Sequence, residues 1–293
     1  MKKTIFILSL MLSFTIAFGQ SWESLSDDLK SSNEDIEHDR KKTKARTWFD
    51  RAELLYEIHV FNTAGLSVGM ATEEGIVSVK TIMGEPEEIK KADDGTETWI
   101  YPRVKIFIAE GAVQDWEETE VIVEDAILKA SDALFKADEV DDKDKWKHKN
   151  SFQMLAMQVR TAVVNKGVGY YQESELEPAY EYMTEGIRLN QLPKMENDTN
   201  YTEDVLQYYS GIIALGLEKT DKAKNHFSKA IEMDYSPGIS YHYLASAYQA
   251  EGNSEKYIET VKEGFEKHPN EEQLVIDLIN YYIEQDEPDQ VIH

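Results

Sequence analysis

Seven histidines, His38, His59, His148, His226, His242, His268 and His293, are the side chains of this chain best suited to proton transfer or metal binding. None stands in an H-E-x-x-H arrangement or another ligand-like spacing, and the absence of cysteine removes thiolates from any zinc site. Asp138 to Asp144 (DEVDDKD) gathers carboxylates, but it lacks the glycine and the closing glutamate of a calcium loop and reads as a solvated linker. Gly65, Gly69 and Gly75 lie close together, yet no strand precedes them as a phosphate cradle requires. No G-x-S-x-G turn, Walker loop or dinucleotide fingerprint occurs. Carboxylate pairs are plentiful, and spacing singles out none of them for acid–base work. The expectation is a chain with no catalytic residues, no metal and no cofactor.

The elements that would position any site are organised by a repeat instead. Tyr241, Leu244, Ala245 and Tyr248, closed by Pro269, recur in kind at intervals of about 34 residues. An earlier copy starts at Asp204, with Gly211, Ala223, Phe227 and Ala230; a later one starts at Glu272, with Leu278 and Tyr282. A further copy starts at Arg160, where Asn165, Gly167, Tyr170, Tyr171, Ala179, Tyr182 and Gly186 follow the pattern, and Leu192 to Tyr201 separates it from the next. Small residues at Gly167, Gly211 and Ala245 would let paired helices approach, while Tyr and Phe fill the space between hairpins.

With these residues the chain resembles the tetratricopeptide-repeat family. The resemblance implies a mainly α fold, an α-helical solenoid over 151–293, whose first helices line a concave groove. Carried over place by place, that groove would present Val164, Val168 and Tyr171; Tyr208, Ile212 and Leu215; His242, Ser246 and Gln249; and Ile276, Asn280 and Ile283. These residues are mostly apolar or neutral, without the lysines that clamp a peptide's terminal carboxylate in chaperone-binding members. A protein segment with apolar side chains is the expected ligand. The last copy breaks off after Pro288, and an uncapped repeat of this kind is expected to self-associate through its exposed apolar face.

Upstream, Lys2 and Lys3 precede an apolar run from Ile5 to Phe18 and the small-residue end Ala17-Phe18-Gly19, the pattern of an export signal cleaved near Gly19. The mature chain would then be periplasmic or secreted, and no later stretch is apolar enough to insert in a membrane. The 56 acidic residues against 31 basic ones give a net charge of −25, which argues against nucleic acid and anionic membranes as partners. Residues 20–44, polar and acidic, read as a flexible leader.

From Ala45 the apolar period of a helix returns through Trp48, Ala52, Leu55 and Tyr56. Residues 45–61 read as the first helix of a hairpin whose second helix is 117–137, with Ala126, Ala130 and Ala133 in the repeat spacing. A charged linker, 138–150, follows. The piece between, 62–116, changes character to a small α+β module inserted in that first hairpin: one helix from Thr72 to Met83, then strands at Glu97–Tyr101, Val104–Ile108 and Ala112–Trp116, with acid-glycine turns at Asp94-Gly95 and Glu110-Gly111. Its Leu66-Ser67-Val68-Gly69-Met70, Met83-Gly84-Glu85-Pro86 and Trp99-Ile100-Tyr101 resemble the small lipoprotein subunit of the outer-membrane β-barrel assembly machine. This implies a place in a bacterial envelope. The reading is a non-enzymatic interaction scaffold of the envelope. Its alternatives are a structural spacer or accessory subunit of an envelope assembly or secretion complex, and an enzyme subunit acting on envelope polymers.

Overall fold

The computed structural model describes residues 21–72, 78–143, 145–146, 149–193, 195 and 201–285. The expected export signal, Glu73 to Val77, Asp144, His148 and the stretch from Asp286 through Pro288 to His293 lie outside them. The described chain is mainly helical with one four-stranded antiparallel sheet. It divides into two units, residues 1–130 and 131–293.

The first unit opens with α1 (Trp22–Glu37), where a flexible leader was expected. The Ser21 hydroxyl accepts the Ser24 N–H at 3.1 Å, capping the helix start. Leu25 is fully buried, and Leu29 joins it against Ile58 of α2 (Ala45–Val60). One apolar stripe thus turns a largely polar segment into the partner of α2, whose own stripe is Phe49, Ala52, Leu55 and Ile58. The hairpin is therefore α1 with α2, and the sheet follows it; it does not split a hairpin formed with residues 117–137. Glu117 and Glu118 still belong to a strand, held opposite Lys105 and Val104, and α4 (Ala126–Glu139) starts only after Asp125, in a left-handed conformation at φ 51°.

The sheet runs β1 (Glu88–Lys91), β2 (Glu97–Ile100), β3 (Val104–Ala109), β4 (Ala112–Glu118) in sequence order. Three of the four strands stand where alternation and turns placed them; β1, exposed at every position, had no alternation to show. Val104, Ile106 and Ile108 point to one face and pack with Trp99 and Val113, and Val79 of the short helix α3 (Val79–Met83) covers them. Glu110 and Gly111 both take positive φ, 53° and 73°, the geometry of a two-residue hairpin turn that matches the twist of the strands. The helix expected from Thr72 starts later: Ala71 bridges to Ala112, the Thr72 N–H donates to the Gly111 carbonyl at 3.1 Å, and Ser78 caps α3.

In the second unit, α5 (Asn150–Gln172), α6 (Leu176–Leu189), α7 (Glu203–Gly216), α8 (Thr220–Glu232), α9 (Pro237–Ala250), α10 (Ser254–Lys267) and α11 (Glu272–Glu284) follow one another, each packed on the next. α7 and α9 start at residues 203 and 237, α8 and α10 at 220 and 254, the same interval for both members of the hairpin. In addition α7 touches α9, and α9 touches α11. Glycine permits the tightest contacts: a Cβ on Gly211 would lie 2.8 Å from the Phe227 ring, and one on Gly264 2.7 Å from the Tyr241 Cβ. α5 begins upstream of Arg160 because Phe152, Leu155, Ala156 and Val159 extend its buried stripe. Asp138 and Glu139 close α4, and the buried Asp141 carboxylate accepts the backbone N–H groups of Lys145 and Trp146 at 3.0 and 2.7 Å. What read as a solvated linker thus contains a built turn.

Candidate binding face of the helical unit

The twelve residues expected to share a groove fall into four groups. Val164 is buried, and its Cγ2 lies 2.6 Å from where a Gly186 Cβ would stand, so it belongs to the core and not to a groove. Val168, Tyr208, Ile212 and Leu215 are half-buried against the core of the same unit. Tyr171, Ile276 and Ile283 are 40%, 38% and 61% exposed, and Gln249 and Asn280 are exposed beside them in the repeat frame. The two remaining polar candidates are engaged within the chain. His242 Nδ1 meets Asp277 Oδ2 at 2.6 Å, joining α9 to α11, and the Ser246 hydroxyl donates to the His242 carbonyl at 3.0 Å.

Tyr208 is the centre of an aromatic cluster. Its ring lies 5.3 Å from Tyr209, 5.4 Å from Tyr235, 6.0 Å from Tyr243 and 6.3 Å from Phe227, centre to centre. Burial, with the neighbouring tyrosine hydroxyls second, holds the Tyr208 hydroxyl well above its ordinary range. A helix position that would face a ligand in isolation is here also the seam between two hairpins, because Tyr235 and Tyr243 arrive from the next turn and from α9.

Beneath this face runs a buried polar chain that sequence spacing did not reveal. Tyr180 of α6 and His226 of α8 meet at 2.9 Å through the hydroxyl and Nε2, and His226 Nδ1 lies 2.6 Å from Gln207 Oε1 of α7. The Gln207 amide nitrogen donates to Glu203 at 3.2 Å, which leaves its oxygen as acceptor. The roles are then fixed from one end to the other: His226 donates from Nδ1 and accepts the Tyr180 hydroxyl at Nε2 as a neutral ring. Burial above all, with Lys229 and Lys222 adding to it, pushes the imidazole down to about 4. A ring that stays neutral and has both nitrogens bonded is a structural joint between hairpins, not a proton shuttle open to substrate.

No group of three or more His, Asp or Glu residues among the described ones is placed to hold a metal ion. No helix among them is long and apolar enough to cross a membrane. No family model matches the chain, and no curated protein matches it significantly.

Proposed function

We propose that the chain is a tetratricopeptide-type interaction scaffold of the bacterial envelope, which binds a protein segment along the face carried by the first helices of its hairpins. The observation that carries this reading is where apolar surface is left open. Seven large hydrophobic side chains are exposed among the described residues, and three of them, Tyr171, Ile276 and Ile283, stand at the places the repeat frame assigns to ligand contact. The common helix interval and the glycine contacts at Gly211 and Gly264 support the repeat assignment. Export rests on the leader pattern of residues 1–19. The envelope assignment rests also on the α+β module, in which the Tyr101 hydroxyl donates to the Gly84 carbonyl at 3.1 Å and so ties together two of the three motifs that carry the resemblance.

A photo-crosslinking residue placed at 171 or 276 in the full chain tests the face directly. Adducts with a recurrent protein segment are expected from these sites and not from Glu255 or Glu259, exposed on α10. Equal labelling from both sets, or none from the first, overturns the reading.

A further inference from the structure

We infer that Tyr208, Tyr209, Tyr235 and Tyr243 form a shelf for a proline-rich stretch of the bound segment, which rests on this face being a binding surface. The four rings are one continuous group. Tyr209, Tyr235 and Tyr243 stand 5.3, 5.4 and 6.0 Å from Tyr208, centre to centre, and Tyr243 is stacked on Phe227 at 5.3 Å and 14°. All four tyrosines are half-buried, so each keeps part of its surface open. The turn that delivers Tyr235 departs from the repeat. One interval later its place is taken by Pro269, and no residue from His268 to Glu271 has a positive φ. Around Tyr235, Asp234 and Ser236 stand at φ 59° and 42°. A left-handed residue also follows α5 and α7, at Ser174 and Glu218, but among α5 to α11 only α9 is entered through one. That residue, Ser236, directly precedes Pro237, whose ring crowds a helical neighbour. The Tyr235 N–H donates to the Ala230 carbonyl at 2.9 Å, and its carbonyl accepts the Ser240 hydroxyl at 3.1 Å. A strained and pinned backbone thus holds this ring against Tyr208.

The hydroxyls decide which kind of segment suits the shelf. Those of Tyr209 and Tyr235 have no hydrogen-bond partner among the described residues and remain open to solvent. A helix laid across them would bring carbonyls already bonded within itself, and the covered hydroxyls would go unpaired. A strand would find no sheet edge to join, since the described elements of this unit are all helices. A polyproline helix has no internal hydrogen bonds, so its carbonyls can accept from the two hydroxyls while its pyrrolidine rings lie on the tyrosine faces. Proline also brings no N–H that would be left unpaired against the rings. Such a segment is extended before it binds, so little chain entropy is lost on an open shelf.

Titration of fluorophore-tagged decaproline with the full chain tests the shelf by fluorescence anisotropy, beside a glycine–serine peptide of equal length and a neutral oligosaccharide. Saturable binding is expected with decaproline alone. Tyr209→Phe and Tyr235→Phe keep the rings and remove only the hydroxyls, and each should weaken decaproline about fivefold, the loss of one hydrogen bond. Tyr235→Ala should weaken it further, whereas Tyr248→Phe, outside the group, should leave it unchanged. No saturable binding, equal binding of the glycine–serine peptide, binding of the oligosaccharide in place of decaproline, or unchanged affinity in both phenylalanine variants overturns the shelf. If the shelf fails while crosslinks from 171 and 276 persist, the binding face stands without it; if decaproline binds and those crosslinks are absent, the shelf stands and the wider reading falls.

Discussion

The two units solve the same packing problem with different means. In the helical unit, order comes from removing side chains: Gly167, Gly211 and Gly264 let helices close on Tyr182, Phe227 and Tyr241. In the sheet module, order comes from the backbone, through a turn at Glu110-Gly111 and one large anchor, Trp99, 2% exposed. The first kind of order repeats with the sequence and can be extended hairpin by hairpin; the second is made once. A binding face spread over several hairpins belongs to the first kind, and a module that keeps one shape belongs to the second.

The contrast can be broken from either side. Phe227→Ala and Trp99→Ala each empty a buried aromatic site, and each is expected to cost about 3–5 kcal/mol. Urea unfolding followed by far-ultraviolet dichroism should register the first strongly and the second weakly, because the helices carry most of that signal. An equal loss of helical signal in both variants would mean that the units do not unfold separately.

Next in size is the pH dependence set by His226. Its folded-state value, about 4, lies below the ordinary value of 6.5, so between these two the unfolded chain binds the extra proton. Stability from this residue is therefore full above about pH 6.5 and declines as pH falls toward 4, by about 3 kcal/mol in all. Comparing urea midpoints at pH 7 and pH 4.5 in wild type and His226→Asn isolates the effect; a variant as acid-sensitive as wild type would refute it.

Gly264→Ala follows, with a loss of about 1–2 kcal/mol. The close Tyr241 Cβ cannot swing away, and this overpacking exceeds the gain in helix propensity of about 1 kcal/mol. Gly111→Ala should cost the sheet about 1 kcal/mol through its positive φ alone, since no atom stands near the added methyl. A Gly111→Ala loss larger than that of Gly264→Ala would reverse the distinction between the units.

The helix intervals of the second unit were legible because a repeat states the same spacing several times, so Tyr241, Gly211 and Phe227 reinforce one another. The sheet was legible where alternation and acid-glycine turns coincide, as from Val104 to Val113. It failed at β1, whose Glu-Ile-Lys-Lys has no buried face, and at residues 117–118, where strand pairing with Lys105 and Val104 outlasts the apolar pattern. α1 was missed because a single fully buried leucine, Leu25, is enough to dock it. The candidate site was legible only in part. The repeat frame found the exposed Tyr171 and Ile276, but it could not see that Val164 lies under Gly186. Nor could it join Tyr180 to His226, since that meeting depends on how one hairpin lands on the next.

The exposed strand β1 has one more consequence. It is an outer strand of the sheet, and its free side offers unpaired amide and carbonyl groups to any other extended chain. Its residues are nearly all charged, with Lys91 held 2.6 Å from Glu97 on the neighbouring strand and Lys90 3.7 Å from Glu88. A second copy that tried to add its own β1 would have to strip Glu88, Lys90 and Lys91 of water, and in a parallel register would also set like charges opposite one another. The β1 edge is thereby guarded against recruiting the strand of another molecule, the step by which a sheet grows into a fibre.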